Sequence, residues 1–166
     1  MSYLYKTMRS PVGQLTLVGS DRGLAAVLWE DDDPSRVRLG DTKESPHHPV
    51  LVRAQQQLEE YFAGIRRKFT VKLDPAGTDF QTRVWNALRS IPFGETRSYG
   101  QIADQIGSRK AVRAVGAANG ANPLSIIVPC HRVIGADGKL TGFAGGLEVK
   151  AQLLALERRS GLRASP

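Results

Sequence analysis

Apolar residues in the first 75 positions fall in short bursts separated by turn formers. In QLTLV (14–18), Leu15 and Leu17 share one face of a strand, with SPVG before it and SDRG after it as turns. LAAVLW (24–29) is almost continuously apolar and predicts a buried strand. Residues 30–49 hold three prolines and show no apolar period, which predicts a long polar loop. From Val50 to Phe62, Leu51, Ala54, Leu58, Tyr61 and Phe62 recur at helical spacing. KFTVKLD (68–74) alternates Phe69, Val71 and Leu73, the pattern of a half-buried strand.

The pattern changes at DPAGTD (74–79), where proline and glycine punctuate the chain. Thr78 and Gln81 have capping-box spacing, and Phe80, Val84, Ala87 and Leu88 follow on one helical face. IPFGETR (91–97) is a turn, and Ser98 with Gln101 makes a second capping box. That box opens the short helix YGQIADQI, with Ile102, Ala103 and Ile106 inward. Gly107 ends it, Ser108 is placed to cap the next helix, and RKAVRAVGAANG follows at once. A short helix, a turn of about three residues built around glycine and a second, basic helix form a helix-turn-helix pattern. On that second helix Arg109, Arg113, Gly116, Ala117 and Gly120 would form one stripe of arginines and small residues. Such a stripe suits close approach to a partner or tight packing on a neighbouring helix. In the last segment, EVKAQLLALERR, Val149, Leu153 and Leu156 define an apolar stripe. The expected fold is α+β, with an N-terminal domain over 1–77 that carries the loop 30–49, and a second domain over 78–166.

Composition adds direction. The N-terminal residues lack the apolar core of a signal peptide, and no apolar run approaches the ~20 residues of a membrane span, so a cytoplasmic protein is expected. The net charge of +7 is uneven: residues 1–77 hold 11 Lys/Arg against 10 Asp/Glu, residues 78–166 hold 12 against 6. The basic second half suits a polyanion such as nucleic acid, or is a solvated basic surface. Asp31, Asp32 and Asp33, like His47 and His48, read as parts of a solvated loop rather than a metal site.

The single cysteine stands in IVPCHRV (127–133), with a base and a cation directly behind it. The thiolate is the nucleophile, and a histidine is the usual base that makes it. Side chains adjacent in sequence diverge, so His131 is expected to reach Cys130 through one bridging water. A histidine in this role needs a carboxylate to set its tautomer, and Glu157, four residues after Leu153 on the stripe of the last helix, is the candidate. Cysteine hydrolases use the same three parts. Here, however, the thiol is tied by Asn122-Pro123 and a short strand to a DNA-type helix, an arrangement suited to reaction with a nucleobase.

SYGQIA, KAVRAVGAANGANP, PCHRV and TGFAGG…K…LL…E together resemble the O6-alkylguanine-DNA alkyltransferases, densely over 78–160 and thinly before. The resemblance implies a small ribonuclease-H-like N-terminal domain and a C-terminal winged-helix-type domain. It implies single-turnover transfer of an alkyl group from O6-alkylguanine, and from O4-alkylthymine, to Cys130 after base flipping. His131 would be the base through a water, Glu157 would orient it, and Tyr99 would contact the flipped nucleotide and help protonate the departing guanine. Asn122 would hold the hinge. The carbonyls of Cys130 and Val133 would accept the exocyclic amine, while Phe143, Ala144 and Gly145 line the substrate, with the Ala144 amide facing O6. Arg113 would be the finger filling the space the base leaves, with Arg109, Ala111, Gly116 and Ala117 also against DNA. The partner would be double-stranded DNA carrying alkylated guanine, bound through the minor groove. No cofactor, metal, membrane or obligate protein partner is implied, and cooperative self-association on DNA stays open. Phe143 and Ala144 replace the Tyr and Ser of some members. Ser125 replaces a proline, which is expected to loosen one pocket wall, and Val112 replaces a smaller alanine. The alternatives are a helix-turn-helix regulator with a structural cysteine, a lesion binder that lacks the cysteine, and a cysteine hydrolase.

Overall fold

The computed structural model describes residues 2–164, with side chains described as far as Arg159. The chain forms two compact units: residues 1–76 with 123–127, and residues 77–122 with 128–166.

In the first unit, β1 (Tyr3–Ser10), β2 (Gly13–Ser20), β3 (Gly23–Trp29) and β4 (Thr42–Glu44) form a sheet of order β3-β2-β1-β4. The first three strands are antiparallel neighbours in sequence, and β4 pairs parallel with β1 through Tyr3–Tyr5. Leu15 and Leu17 are fully buried, as their alternation requires. The helix α1 (Pro49–Phe62) buries Leu51, Ala54, Gln57, Leu58 and Tyr61. It comes so close to the sheet that a Cβ on Gly19 would stand 3.2 Å from Leu51 Cδ2. The polar stretch 30–49 is therefore not all loop. Its strand β4 has all three residues exposed and so leaves no apolar signal.

Residues 68–74 depart from the strand expectation. Only Leu73 forms a bridge, with Leu24. The reason lies in α1: the buried Gln57 side chain accepts from the Thr70 and Val71 amides (3.0 and 3.2 Å) and donates to Thr70 Oγ1 (2.7 Å). Amides that a strand would offer to a neighbour are satisfied by a helix side chain instead. The segment 123–127, placed beyond the 77/78 boundary in sequence, packs here with β3: Val27 N donates to Pro123 O (2.8 Å) and Trp29 Nε1 to Ser125 Oγ (3.1 Å). The Ser125 side chain is fully buried there. Ile126, buried in this segment, takes φ 74°, a left-handed conformation rare for a β-branched residue.

The second unit opens with α2 (Asp79–Arg89), then β5 (Arg97–Ser98), α3 (Tyr99–Gln105) and α4 (Val112–Gly120). Both expected capping boxes close: Thr78 Oγ1 and Ser98 Oγ each accept from the amide three residues on, and Gln81 and Gln101 return the bond. Trp85 Nε1 donates to Ala118 O (2.9 Å), fastening α2 to α4. Ser108 does not cap α4. Its amide bonds to Ala103 O (2.9 Å) and the Gly107 amide, at φ 76°, to Asp104 O, so both residues complete the C-terminus of α3. The cap of α4 is Ala111, with no side-chain bond, and Arg109 lies in the connection rather than on the helix. A 3₁₀ turn, Cys130–Arg132, leads into β6 (Val133–Ile134), which pairs parallel with β5.

The last helix, α5 (Leu147–Ala164), buries a stripe other than Val149, Leu153 and Leu156. Val149 and Leu156 are only half-buried, and the fully turned-in residues are Lys150, Leu153, Leu154 and Glu157. Their spacing of i, i+3, i+4 and i+7 is one helical face. It begins and ends on an ionisable residue.

Candidate active site

The turn that carries Cys130 is held from three directions. Asn122, 1% exposed, donates from Nδ2 to Val128 O (2.9 Å). The Arg132 amide donates to Pro129 O (3.0 Å), and Asn119 Nδ2 reaches Cys130 O at 3.5 Å. Pro129 fixes one φ just before the thiol. Cys130 itself is 4% exposed.

His131 is fully buried, and its Nε2 lies 2.6 Å from Glu157 Oε2. Sequence reasoning paired these two residues and missed the third. Arg132 grips the same carboxylate with Nε (2.8 Å) and Nη2 (3.0 Å), and donates from Nη1 to Ile91 O (2.7 Å). Its guanidinium carbon lies 5.6 Å from the centroid of the Phe93 ring. The Gly94 amide adds a further bond to Glu157 Oε1 (3.2 Å). Four donors therefore fill the lone pairs of one carboxylate. Burial pushes Glu157 up, but the bonds and charges of His131 and Arg132 outweigh it and bring the carboxyl down to about 2. Burial also lowers His131 below its ordinary value, against the pull of Glu157. A neutral imidazole beside an ionised carboxylate carries its proton on Nε2, so Nδ1 presents a lone pair. Among the described residues no group bonds that Nδ1, although it is buried.

Lys150 was visible in the sequence as the lysine seven residues before Glu157, without a role. Its side chain is completely buried, and Nζ donates to Val133 O (2.6 Å) and Thr141 O (3.0 Å). The Val133 carbonyl, expected to face substrate, therefore already has one cationic donor. Tyr99, first residue of α3 and half-buried, meets Thr141 Oγ1 at 2.7 Å through its hydroxyl. The loop 135–146 thus touches Tyr99 and Lys150 through one residue. Within it Phe143 and Gly145 are half-buried and Ala144 is exposed.

The stripe of small residues is on α4 without Arg109. Arg113, Ala117 and Gly120 are exposed, and Gly116 is half-buried, its Cβ direction 3.9 Å from the Tyr99 ring. Among the described residues Arg113 has no ion-pair partner, and Ala111, at the cap, is half-buried. Arg109 instead pairs with Asp104 (2.7 Å), both largely exposed. It left the stripe because the chain between Gly107 and Ala111 is not helical.

Comparison with known proteins gives this constellation a family. Residues 79–159 match the DNA-binding domain of 6-O-methylguanine DNA methyltransferase, and residues 3–75 match its ribonuclease-like domain. A methylated-DNA–protein-cysteine methyltransferase of Mycolicibacterium paratuberculosis is 55% identical over 155 residues, spanning 93% of this chain and 92% of the relative. One from Methanosarcina acetivorans is 51% identical, spanning 92% and 97%. Among solved structures, that of Mycobacterium tuberculosis OGT in complex with DNA has a TM-score of 0.85 at 51% identity, covering 96% of this chain and 94% of that one. With both halves matched in order and the cysteine, histidine and glutamate gathered in one turn and one helix, the chain belongs to the 6-O-methylguanine DNA methyltransferase family.

Proposed function

We propose that this protein repairs DNA directly, by moving the alkyl group of O6-alkylguanine onto Cys130 in a single, irreversible turnover. The observation that carries the reading is the buried His131–Glu157 contact of 2.6 Å, directly behind the cysteine, with Nδ1 of the imidazole left as an acceptor.

His131 Nδ1 takes the Cys130 proton through one water, and Glu157 stabilises the imidazolium that results. The sulfur pair then forms the S–C bond as the C–O6 bond breaks, with its electrons passing to the purine. Tyr99 donates a proton to the departing guanine and recovers one that began on Cys130, so a thiol and an ether become a thioether and guanine. O4-alkylthymine offers the same carbon–oxygen bond. A thioether is a poor leaving group, and nothing in the site regenerates the thiol.

Double-stranded DNA would be engaged through the minor groove by α4. Arg113, exposed and without an ion-pair partner among the described residues, would enter the stack, offsetting the few kcal/mol that flipping requires. Gly116 and Ala117 permit the close approach. Asn122, through Val128, holds the turn that presents the thiol, and Val133, Phe143, Ala144 and Gly145 border the flipped base. Arg109, turned toward Asp104, serves at most as a phosphate contact reached by exchanging partners. A cytoplasmic location suits a reactive thiol that must stay reduced.

The direct test is to incubate the protein with a duplex containing one O6-methylguanine and weigh the intact chain and its peptides. One methyl group is expected, on the peptide holding Cys130, reaching one equivalent and stopping. Continued turnover, or a methyl elsewhere, overturns the reading.

A further inference from the structure

Lys150 is a buried cation that the reaction above does not use. Its side chain is completely buried, and its hydrogen bonds go to two neutral carbonyls, Val133 O and Thr141 O. Among the described residues no carboxylate pairs with it. A buried ammonium without an anion is strongly disfavoured, so the surroundings must supply one.

The neighbours narrow the choice. On α5, Glu157 is committed to Arg132 and His131, and Glu148 is exposed. On the loop 135–146, Asp137 is exposed and its Oδ1 accepts the Lys139 amide. Near β5, Arg97 pairs with Glu95, and on α3, Asp104 pairs with Arg109, while Tyr99 is engaged with Thr141. On the turn, His131 is neutral and Arg132 is balanced by Glu157. That leaves Cys130. Burial pushes the Lys150 ammonium down, and the charge that pulls it back up is that of Cys130.

We propose that Lys150 is the counter-cation of the Cys130 thiolate, a positioning residue that favours ionisation of the thiol and loses its partner when the sulfur is alkylated. The proposal rests on Cys130 being the alkyl acceptor. Its two carbonyl contacts fix the ammonium in place and tie the loop 135–146 to the strand after the thiol. Once the sulfur is a neutral thioether, the ammonium is buried among carbonyls alone. Proton transfer from Cys130 and retention of the proton on Lys150 are then coupled: each group favours the charged form of the other by the same factor.

Two measurements test this. The first is the pH dependence of Cys130 alkylation by iodoacetamide, without DNA, in the unsubstituted protein and in Lys150→Met, which preserves most of the volume. The midpoint is expected to rise by about one pH unit or more, with about a ten-fold lower rate at pH 7. A superimposable profile in the folded variant overturns the proposal. The second needs no substitution: the Lys150 Nζ resonance, in protein labelled with nitrogen-15 lysine, is titrated before and after methylation by O6-methylguanine duplex. Its midpoint is expected to fall by at least one pH unit on methylation, and an unchanged midpoint refutes the pairing. Mass analysis of the same sample separates the readings. A methyl on Cys130 with an unchanged lysine removes only the counter-cation, whereas no methyl on Cys130 removes the repair function itself.

Discussion

Replacing Glu157 by Gln keeps the shape of the side chain and removes its charge, so it isolates what the carboxylate contributes. In the native unit the carboxylate is fully buried, holds Arg132 in two bonds and His131 in a third, and stays ionised down to about pH 2. The distance from its ordinary 4.5 to about 2 corresponds to roughly 3 kcal/mol of folding stability. An independent route gives the same size, since breaking a buried ion pair on one side costs about 3–5 kcal/mol. The sign follows from linkage. A carboxyl with a depressed folded-state pKa contributes fully above its unfolded pKa and loses that contribution as pH falls toward its folded one. Urea unfolding at pH 7 is therefore expected to show Glu157→Gln less stable by about 3 kcal/mol, a deficit that more than halves by about pH 3. Alkyl transfer should also slow, on the order of 10²- to 10⁴-fold, because the imidazolium loses its counter-charge. A deficit below about 1 kcal/mol that is the same at both pH values would sink the electrostatic account.

Three further outcomes are expected. Arg113→Ala should slow repair in duplex DNA far more than reaction with free O6-benzylguanine, measured as single-turnover rates; equal losses on both would remove the finger role. Tyr99→Phe should slow methyl transfer from duplex by about ten-fold or more without lowering the melting temperature by more than about 2 °C, and unchanged kinetics would exclude its hydroxyl as a proton donor. Gln57→Leu should cost about 2 kcal/mol and speed hydrogen exchange at the Thr70 and Val71 amides, because two backbone donors lose their acceptor; unaltered exchange at both would show that Gln57 does not satisfy them.

Features decided within four residues of one another were legible in the sequence. Thr78 with Gln81 and Ser98 with Gln101 specify their own helix starts, and both closed as their spacing required. Features decided by a distant partner were not. The alternation at 68–74 is real, yet Gln57 takes its amides from the far side of a turn. The strand Thr42–Glu44 is recruited by β1 and shows no pattern of its own. Arg109 was counted onto α4 because Gly107 and Ser108 could serve either helix, and their backbone bonds went to α3. The sequence pattern on α5 runs through Leu156, where the structure turns in Leu154, because six leucine or valine positions on one helix leave its phase open. Lys150 and Glu157 resolve that phase, since both must lie where they can be satisfied.

Glu157 also bears on where protons can go. Arg132 is a permanent cation, and its paired bonds add to the larger effect of His131 in keeping Glu157 ionised. In the reaction proposed above, a carboxylate lowered to about 2 is a poor acceptor for the proton that His131 would take from the thiol, and favours its staying on the ring. On that proposal His131 is a base whose proton affinity burial lowers beforehand, and which becomes a cation on taking the thiol proton. The proton would then pass to Tyr99, which has given its own to the purine released from its ether. On that proposal the ordering, thiol to imidazole to tyrosine as the purine takes its proton, draws on Arg132 as well as on His131, and gives the arginine of PCHRV the task of helping to keep the glutamate charged.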